Sequence, residues 1–213
     1  DKLGVFFWRN IMMPLIDAIG GKKFPTDIEL TEFAYGSHKK EKLDYIAPKK
    51  ANQKHIAIVH IHGGAWVAGS KGKFYSKPLV KFSNAGYPVF SLNYPLAPEQ
   101  QHPYLLRSLL KALIWIKKNY PHCSSIHLIG DSAGGNLAMM LGIYLSNPEL
   151  LKKLDAVAPE DFPTIKSVVD IFGVNDKTSW VEDGFASARL FNKVYADNTG
   201  TPQIPLFPMD FTH

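Results

Sequence analysis

The stretch IHLIGDSAGGNLAMML, residues 126–141, decides the fold of this chain. Residues 126–129 form a short, largely apolar run that predicts a buried strand. Gly130, Ser132 and Gly134 follow as a G-x-S-x-G turn, and the apolar block over residues 136–145 predicts a buried helix. A strand, a tight turn and a helix in this order predict a nucleophile elbow, in which a serine stands at a sharp bend above a sheet.

The residue types of the turn agree with this interpretation. A serine nucleophile needs a strained backbone, and Gly130 and Gly134 remove side chains that would collide there. Gly135 lets the new helix lie close to its neighbours. The amide of Ala133, at the start of the helix, can face a developing oxyanion with the helix dipole behind it. The alternative is an ordinary glycine-rich loop in which Ser132 caps the helix.

A glycine pair follows an earlier predicted strand. Residues 55–61 form a β-rich run that leads into HGGAW, residues 62–66. A double glycine directly after a buried strand lets the backbone approach a ligand, so we expect the second part of an oxyanion hole here. The alternative is that Gly63 and Gly64 merely make a tight turn. His62 is a candidate base, but it precedes the serine along the chain, so we expect it to brace the loop by hydrogen bonds.

The remaining pattern alternates strands with helices, which favours an α/β class with a mostly parallel sheet and helices on both faces. The first two strands predict an antiparallel pair at a sheet edge. Two histidines at the ends of the predicted helix over residues 102–120, His102 and His122, are predicted to face solvent or to cap it. The predicted strands are residues 28–35, 42–46, 55–61, 87–92, 126–129 and 167–172, and the predicted helices are residues 3–19, 74–84, 102–120, 136–145 and 185–195.

Three segments are predicted along the chain. Residues 1–27 are a helical segment that we expect to pack onto the domain as part of a cap; a membrane-surface helix is the alternative, although its polar face lacks the basic residues typical of one. Residues 28–176 form the α/β core. Residues 177–213 contain a helix and an extended, proline-containing tail, which could belong to the cap.

Composition restricts the classes of function. The chain has 213 residues, of which 46% are hydrophobic and 20% charged, which predicts one packed domain. The net charge of +5 comes from lysines clustered between residues 39 and 54, without the interleaved arginines and aromatics of a nucleic-acid patch. We therefore expect no nucleic-acid partner. Cys123 is the single cysteine, which excludes an internal disulfide.

The sequence shows no signal peptide and no apolar run long enough to span a membrane. We therefore expect a cytoplasmic protein without stable membrane insertion. The chain begins with Asp1 rather than Met, which is compatible with an upstream segment that was removed. The oligomeric state is left open.

Three motifs, in this order and spacing, make the chain similar to a known family. They are HGGAW at residues 62–66, NYPLAPE at residues 93–99 and GDSAGG at residues 130–135. Over roughly residues 28–176 the chain resembles the α/β-hydrolase fold, and within it the hormone-sensitive-lipase-like esterases. Similar sequences include acetyl-xylan and feruloyl esterase-like carboxylesterases and kynurenine formamidase-like enzymes.

The resemblance implies a serine hydrolase that cleaves carboxylic esters of small or medium acyl groups and needs no metal or organic cofactor. It implies Ser132 as the nucleophile, which would form an acyl-enzyme. The amides of Gly64, Ala65 and Ala133 would make the oxyanion hole, with Gly63 shaping the loop. The family usually has glycine at position 65, and the extra methyl group would narrow the acyl side.

The chain departs from the family after the last predicted strand. In this fold the acid and then the histidine follow the serine, each after a further strand. The only histidine after Ser132 is His213, and Asp170 and Asp176 come one strand too early. The family also has arginine where Pro95 stands. We therefore expect that the chain ends before the acid, the base and the C-terminal strands; a degenerate relative, or an unusual role for His213, is the alternative.

Two other functions remain open. An amidase or formamidase that acts on a small arylformamide would share the His-Gly-Gly start. A non-catalytic ligand-binding protein on a hydrolase scaffold would suit the missing acid and base. The expected partner in the first interpretation is a small-molecule ester.

Overall fold

The computed structural model describes residues 2–20, 29–49, 55–155, 159–182, 188–196 and 205–211. Six strands and eight helices lie in these residues, with 3₁₀ turns at Pro159–Asp161 and Pro208–Phe211. The strands are β1 (Leu30–Ala34), β2 (Lys42–Ile46), β3 (Ile56–Ile61), β4 (Val89–Leu92), β5 (Ser125–Asp131) and β6 (Thr164–Ile171). The helices are α1 (Lys2–Phe7), α2 (Met13–Gly20), α3 (Lys73–Asn84), α4 (Tyr104–Asn119), α5 (Ala133–Ser146), α6 (Pro148–Lys152), α7 (Lys177–Glu182) and α8 (Ala188–Tyr195).

The six strands form one sheet in the order β1-β2-β4-β3-β5-β6. Strands β3, β4, β5 and β6 run parallel, whereas β2 is antiparallel to both β1 and β4. This confirms the predicted α/β class with an antiparallel pair at one edge. Ile61 at the end of β3 pairs with Gly130 of β5. Because parallel strands end at the same edge of a sheet, the loops after β3 and β5 leave it side by side.

Apolar clusters cover both faces of the sheet, as predicted. Ile58 of β3 packs in one cluster with Leu79 of α3. Its neighbour Val59 points to the opposite face and packs in the main cluster with Leu109 of α4 and Leu137 of α5. Successive strand residues point to opposite faces, so the continuous apolar run of β3 serves both clusters.

The N-terminal helices pack onto the domain. A π-helical turn at Trp8–Met12 joins α1 and α2. Val5 and Met13 are buried against Val67, in the loop after β3, and Phe191 of α8. The other side of these helices is exposed, and Leu3 keeps 80% of its surface in solvent. Among the described residues, none of the helices combines the length and apolar character that crossing a bilayer requires.

The prediction for His102 is wrong. Its side chain is buried, with Nδ1 3.2 Å from the hydroxyl oxygen of Tyr195, and its backbone N–H donates to the Tyr195 carbonyl at 3.0 Å. Helix α8, which carries Tyr195, covers the start of α4 and removes His102 from solvent. His122, at the other end of α4, is exposed as predicted.

The predicted extended tail is also corrected where the structure describes it. Residues 205–211 turn back onto the domain, and Phe207 is fully buried with its ring 6.3 Å from that of Trp66. Asp210 fixes the turn, because its Oδ2 accepts from the N–H groups of Leu206 and Phe207 at 3.0 Å. No strand follows β6 in the described part of the chain.

Replacing Phe207 with Ala should lower the free energy of unfolding by about 3 to 5 kcal/mol, because it leaves a cavity beside Trp66. The matched control is Met209→Ala, at a side chain that is 48% exposed, which should change it by no more than about 0.5 kcal/mol. Urea unfolding monitored by tryptophan fluorescence measures both. Equal effects of the two substitutions would contradict the docking of the tail.

Candidate active site

Ser132 is the single residue that joins the end of β5 to the start of α5. Its backbone has φ 51° and ψ −122°, in the left-handed half of the Ramachandran map, which costs a non-glycine residue about 1 to 3 kcal/mol. Two backbone hydrogen bonds hold it there: its N–H donates to the carbonyl of Ile171 in β6 at 3.0 Å, and its own carbonyl accepts from Asn136 at 3.1 Å. The strained serine is therefore held from both the sheet and the helix.

The glycines of this turn are required by close contacts. A Cβ atom on Gly130 would lie 2.1 Å from the carbonyl oxygen of Gly134. A Cβ on Gly134 would lie 2.2 Å from the carbonyl oxygen of Ile61, at the end of β3. A Cβ on Gly135 would lie 2.1 Å from Oδ1 of Asp170, in β6. Each glycine thus admits a neighbouring group that any side chain would displace.

The loop after β3 is compact and strained. Gly64, Ala65 and Trp66 have positive φ angles of 122°, 51° and 60° in succession. The Gly64 carbonyl accepts from the amides of Val67 and Ala68 at 3.1 and 2.9 Å. The backbone therefore doubles back on itself directly after the glycine pair.

This loop packs against the turn that carries Ser132. The Gly63 N–H donates to Oδ1 of Asp131 at 3.1 Å, and a Cβ on Gly63 would lie 2.5 Å from Oδ2 of the same carboxylate. The amide of Gly63 is thereby used in the loop contact. The amides of Gly64, Ala65 and Ala133, by contrast, donate to no residue that the structure describes. They are the amides that the resemblance assigns to an oxyanion hole.

Asp131 is a residue of this site for which the sequence predicts no role. Its side chain is 18% exposed, and Oδ1 lies 3.7 Å from Nε2 of His60. The other ring nitrogen of His60, Nδ1, lies 3.3 Å from the Ser91 hydroxyl. The histidine in the middle of β3 thus lies near polar groups of both neighbouring strands, which explains its place in an otherwise apolar run.

His62 braces the loop by hydrogen bonding, as predicted. Its Nδ1 donates to the Gly63 carbonyl at 2.7 Å, and its ring stacks on that of Tyr94 with centroids 4.3 Å apart. The Tyr94 hydroxyl donates to the His62 carbonyl at 2.8 Å. Burial lowers the pKa of His62 to about 3, so the ring is neutral near pH 7.

No base contacts the serine in the described residues. Oγ of Ser132 makes no hydrogen bond to any of them. His213 lies outside the described part of the chain. Asp176 caps α7 instead, because its Oδ2 accepts from both the N–H and the hydroxyl of Ser179 at 2.7 Å.

Asp170 belongs to a polar network beneath the elbow. Asn175 donates to its Oδ2, whereas Oδ1 is buried without a hydrogen-bond partner in the described structure. Asn136, in the first turn of α5, donates to the carbonyls of Val174 at 2.8 Å and Leu206 at 3.2 Å. The start of the helix is therefore tied to the segment after β6 and to the tail.

An arginine from the N-terminal helices holds two loops of the site. Nε of Arg9 donates to the Val67 carbonyl and one terminal nitrogen to the Ala97 carbonyl, both at 2.5 Å. The guanidinium also pairs with both carboxylate oxygens of Glu99 at 2.6 Å. Glu99 lies in the NYPLAPE motif and could be suspected from sequence, but no local pattern identifies Arg9 as its neighbour.

No group of three or more histidine, cysteine, aspartate or glutamate side chains is placed to hold a metal ion in the described ranges. The Asp131 carboxylate next to Ser132 accepts from the Gly63 amide, whereas the amides of Gly64, Ala65 and Ala133 have no acceptor among the described residues. Backbone N–H groups without an acceptor of their own are the type of group that can stabilise negative charge in a protein.

The BD-FAE family model matches residues 43–199. Among curated proteins, the chain is similar to kynurenine formamidase of Danio rerio, with 30% identity over 114 residues, which cover 53% of this chain and 38% of that protein. It is also similar to hormone-sensitive lipase of Mus musculus, with 36% identity over 105 residues, 45% of this chain and 13% of the lipase. The matches thus span well under two thirds of the length of these relatives.

Among solved structures, the fold is similar to that of esterase B from Lactobacillus rhamnosis, inhibited by a tributyrin phosphonate. The TM-score is 0.75 with 20% identity, over 92% of this chain and 66% of the esterase chain. At this identity the similarity establishes the α/β-hydrolase fold.

Burial of His62 predicts a pH dependence of stability. The unfolded chain binds a proton at this side chain below about pH 6.5, whereas the folded protein does so only near pH 3. The free energy of unfolding therefore falls as the pH falls through this window, by about 1.4 kcal/mol per pH unit from this residue. Urea unfolding between about pH 4.5 and 7 should show a shallower acid slope for His62→Asn than for the wild type. His122→Asn is the control, at an exposed histidine; an unchanged slope in His62→Asn would contradict the prediction.

Proposed function

Because the chain belongs to the BD-FAE family, we propose that the protein is a serine hydrolase that cleaves carboxylic esters of small or medium acyl groups. The reaction proceeds through an acyl-enzyme on Ser132. The observation that carries this proposal is the positive φ of Ser132 at the junction of β5 and α5, with the glycine loop after β3 packed against the same turn. A capping serine has no need of this strain, since a cap residue normally adopts an extended backbone.

The oxyanion hole is assigned to the amides of Gly64, Ala65 and Ala133. Their hydrogen-bonding capacity is unused among the described residues, and Ala133 adds the positive end of the α5 dipole. One such donor is worth about 10² to 10³ in rate. Gly63 takes no part in charge stabilisation, because its amide is bonded to Asp131; it sets the position of the loop.

The nucleophile needs a base to remove its proton. His62 is excluded from this role by its burial and by its hydrogen bond to Gly63. Since no described histidine is hydrogen-bonded to Ser132, we assign the base, and the acid that orients it, to residues outside the described ranges. Once the base has taken the proton of the serine hydroxyl, Ser132 attacks the ester carbonyl, and the alcohol leaves with that proton. Water then releases the carboxylic acid from the acyl-enzyme.

The acyl side of the pocket is assigned to the apolar cluster beside Ala65. Val5, Met13, Phe191 and Val194 pack in the same cluster as Ala65. The N-terminal helices and α8 thus approach the loop that carries the proposed oxyanion amides, and we propose that they form the cap. The methyl group of Ala65 narrows this side and favours smaller acyl groups.

A serine-reactive alkyl phosphonate should label the intact protein at one site, and Ser132→Ala should abolish the label. Hydrolysis of a p-nitrophenyl butyrate probe should fall by about 10³-fold or more in the same variant. Ser37→Ala, at an exposed serine in the loop between β1 and β2, is the control and should keep both properties. Mass spectrometry of the labelled protein provides the measurement, and an intact protein that resists the reagent would remove the hydrolase proposal.

A formamidase is the second candidate, because the curated relatives include kynurenine formamidases at 30% identity. We expect an aryl ester to be cleaved with a higher kcat/KM than the matching N-formyl arylamine. The reverse order would favour the formamidase. Tight binding of either compound without turnover would instead favour a binding protein on the same scaffold.

A further inference from the structure

A cavity of about 480 Å³ lies beside the loop after β3, and no residue of the Ser132 turn lines it. Its walls come from four separate parts of the chain: Arg9, Met13 and Pro14 of the N-terminal helices, residues 38–40 between β1 and β2, residues 68–70 after β3, and Leu96 and Glu99 after β4. The volume is in the range of small-molecule sites in proteins. The cavity is therefore a separate candidate site at the same edge of the sheet.

Of the three cationic side chains that line the cavity, one is paired with a carboxylate and two have no such partner within the described ranges. The guanidinium of Arg9 is neutralised by its two-fold pairing with Glu99. The side chains of Lys39 and Lys40, which also line the cavity, make no hydrogen bond or ion pair with any residue that the structure describes. Glu99, the one carboxylate among the described lining residues, is taken up by Arg9, so the cavity carries an excess of two ammonium groups that have no ion-pair partner of their own in the described structure.

Neighbouring lysines on the same side of the domain behave differently. Each has a carboxylate partner within 3.1 Å. The pairs are Lys42 with Glu32, Lys71 with Glu32 and Asp44, and Lys111 with Glu41. The lack of a partner is therefore confined, within this group, to the two lysines that face the cavity.

Lys40 is the more informative of the two because it is half-buried. Burial lowers the pKa of its ammonium group, the positive charges of Arg9 and Lys39 lower it further, and the Glu99 carboxylate acts in the opposite direction without reversing the shift. A partly desolvated cation among like charges is unfavourable unless an anion accompanies it. An anion in the cavity would supply the missing partner.

The other walls indicate what is attached to that anion. Met13, Pro14 and Leu96 offer apolar surface. His38 adds a polar group: its Nδ1 accepts from the Lys40 N–H at 3.1 Å, which leaves Nε2 as the donor of the neutral ring. The combination suits a molecule with a charged end and an apolar body.

We propose that this cavity binds a small organic anion, whose carboxylate or phosphate monoester group pairs with Lys39 and Lys40 and whose apolar part lies against Met13 and Leu96. Binding here does not depend on hydrolysis at Ser132. The site goes beyond the proposed esterase function, and each can fail without the other.

Isothermal titration of the intact protein at low ionic strength tests the proposal with four probes: benzoate, phenyl phosphate, neutral benzamide and inorganic phosphate. Benzoate or phenyl phosphate should bind at least about tenfold more tightly than benzamide and than inorganic phosphate, because the site needs both a charge and an apolar body. The stronger of the two identifies the anionic group. Benzamide binding as tightly as both anions, or inorganic phosphate binding as tightly as phenyl phosphate, would overturn the proposal.

Substitutions locate the site. Lys40→Met should weaken binding of the preferred anion by about tenfold and Lys39→Met, at a more exposed lysine, by about threefold. Lys118→Met, at an exposed lysine on α4 far along the chain, is the matched control and should bind like the wild type. Thermal unfolding of each variant checks that the fold is kept. Unchanged binding by folded Lys40→Met, or equal weakening by Lys118→Met, would contradict the assignment.

Discussion

The structure of the site depends on the approach of one loop backbone to another. The chain after β3 passes so close to the turn after β5 that Gly63 bonds to the Asp131 carboxylate and Gly134 lies directly against the Ile61 carbonyl. Parallel pairing of β3 with β5 sets this approach, because Ile61 and Gly130 are register partners. Glycine at these positions is what allows the approach, since a single Cβ atom would separate the two loops. The proposed nucleophile and the proposed oxyanion amides are brought together by the same contact.

The strain at the site is offset by burial around it. Ser132, Ala65 and Trp66 all have positive φ angles, at about 1 to 3 kcal/mol each. Trp66 is fully buried, and its ring stacks on that of Tyr195 at 4.3 Å. Burial of one large aromatic side chain is worth about 1.5 to 3 kcal/mol, comparable to the strain at one residue. The aromatic contacts from α8 and the tail thus hold the loop in a conformation that it would not adopt alone.

The parts of the structure that could be predicted from sequence are those with a local cause. The strand, turn and helix around Ser132 could be predicted because apolar runs and glycines follow one another directly in the sequence. The predicted start of the helix is late, since α5 begins at Ala133, before its apolar block. The burial of His102 could not be predicted from sequence, because its partner Tyr195 lies 93 residues further along the chain. The contact of Arg9 with Glu99 spans 90 residues and has no local signal either. Periodicity reports which face of an element is apolar, but it cannot report which distant element covers that face.

The contacts that hold Ser132 and the glycine loop in place do not include the base that the proposed reaction needs. The hydrogen bonds that hold Ser132 come from Ile171 and Asn136, and the contact that positions the glycine loop comes from Asp131. None of these involves a catalytic base, and His62 is kept neutral by burial beside them. The strained serine and the free amides therefore persist whether or not a base is engaged. In the proposed hydrolase, binding and the oxyanion amides alone would supply about 10³- to 10⁴-fold catalysis over water, and the rest of the rate would come from the group that removes the serine proton.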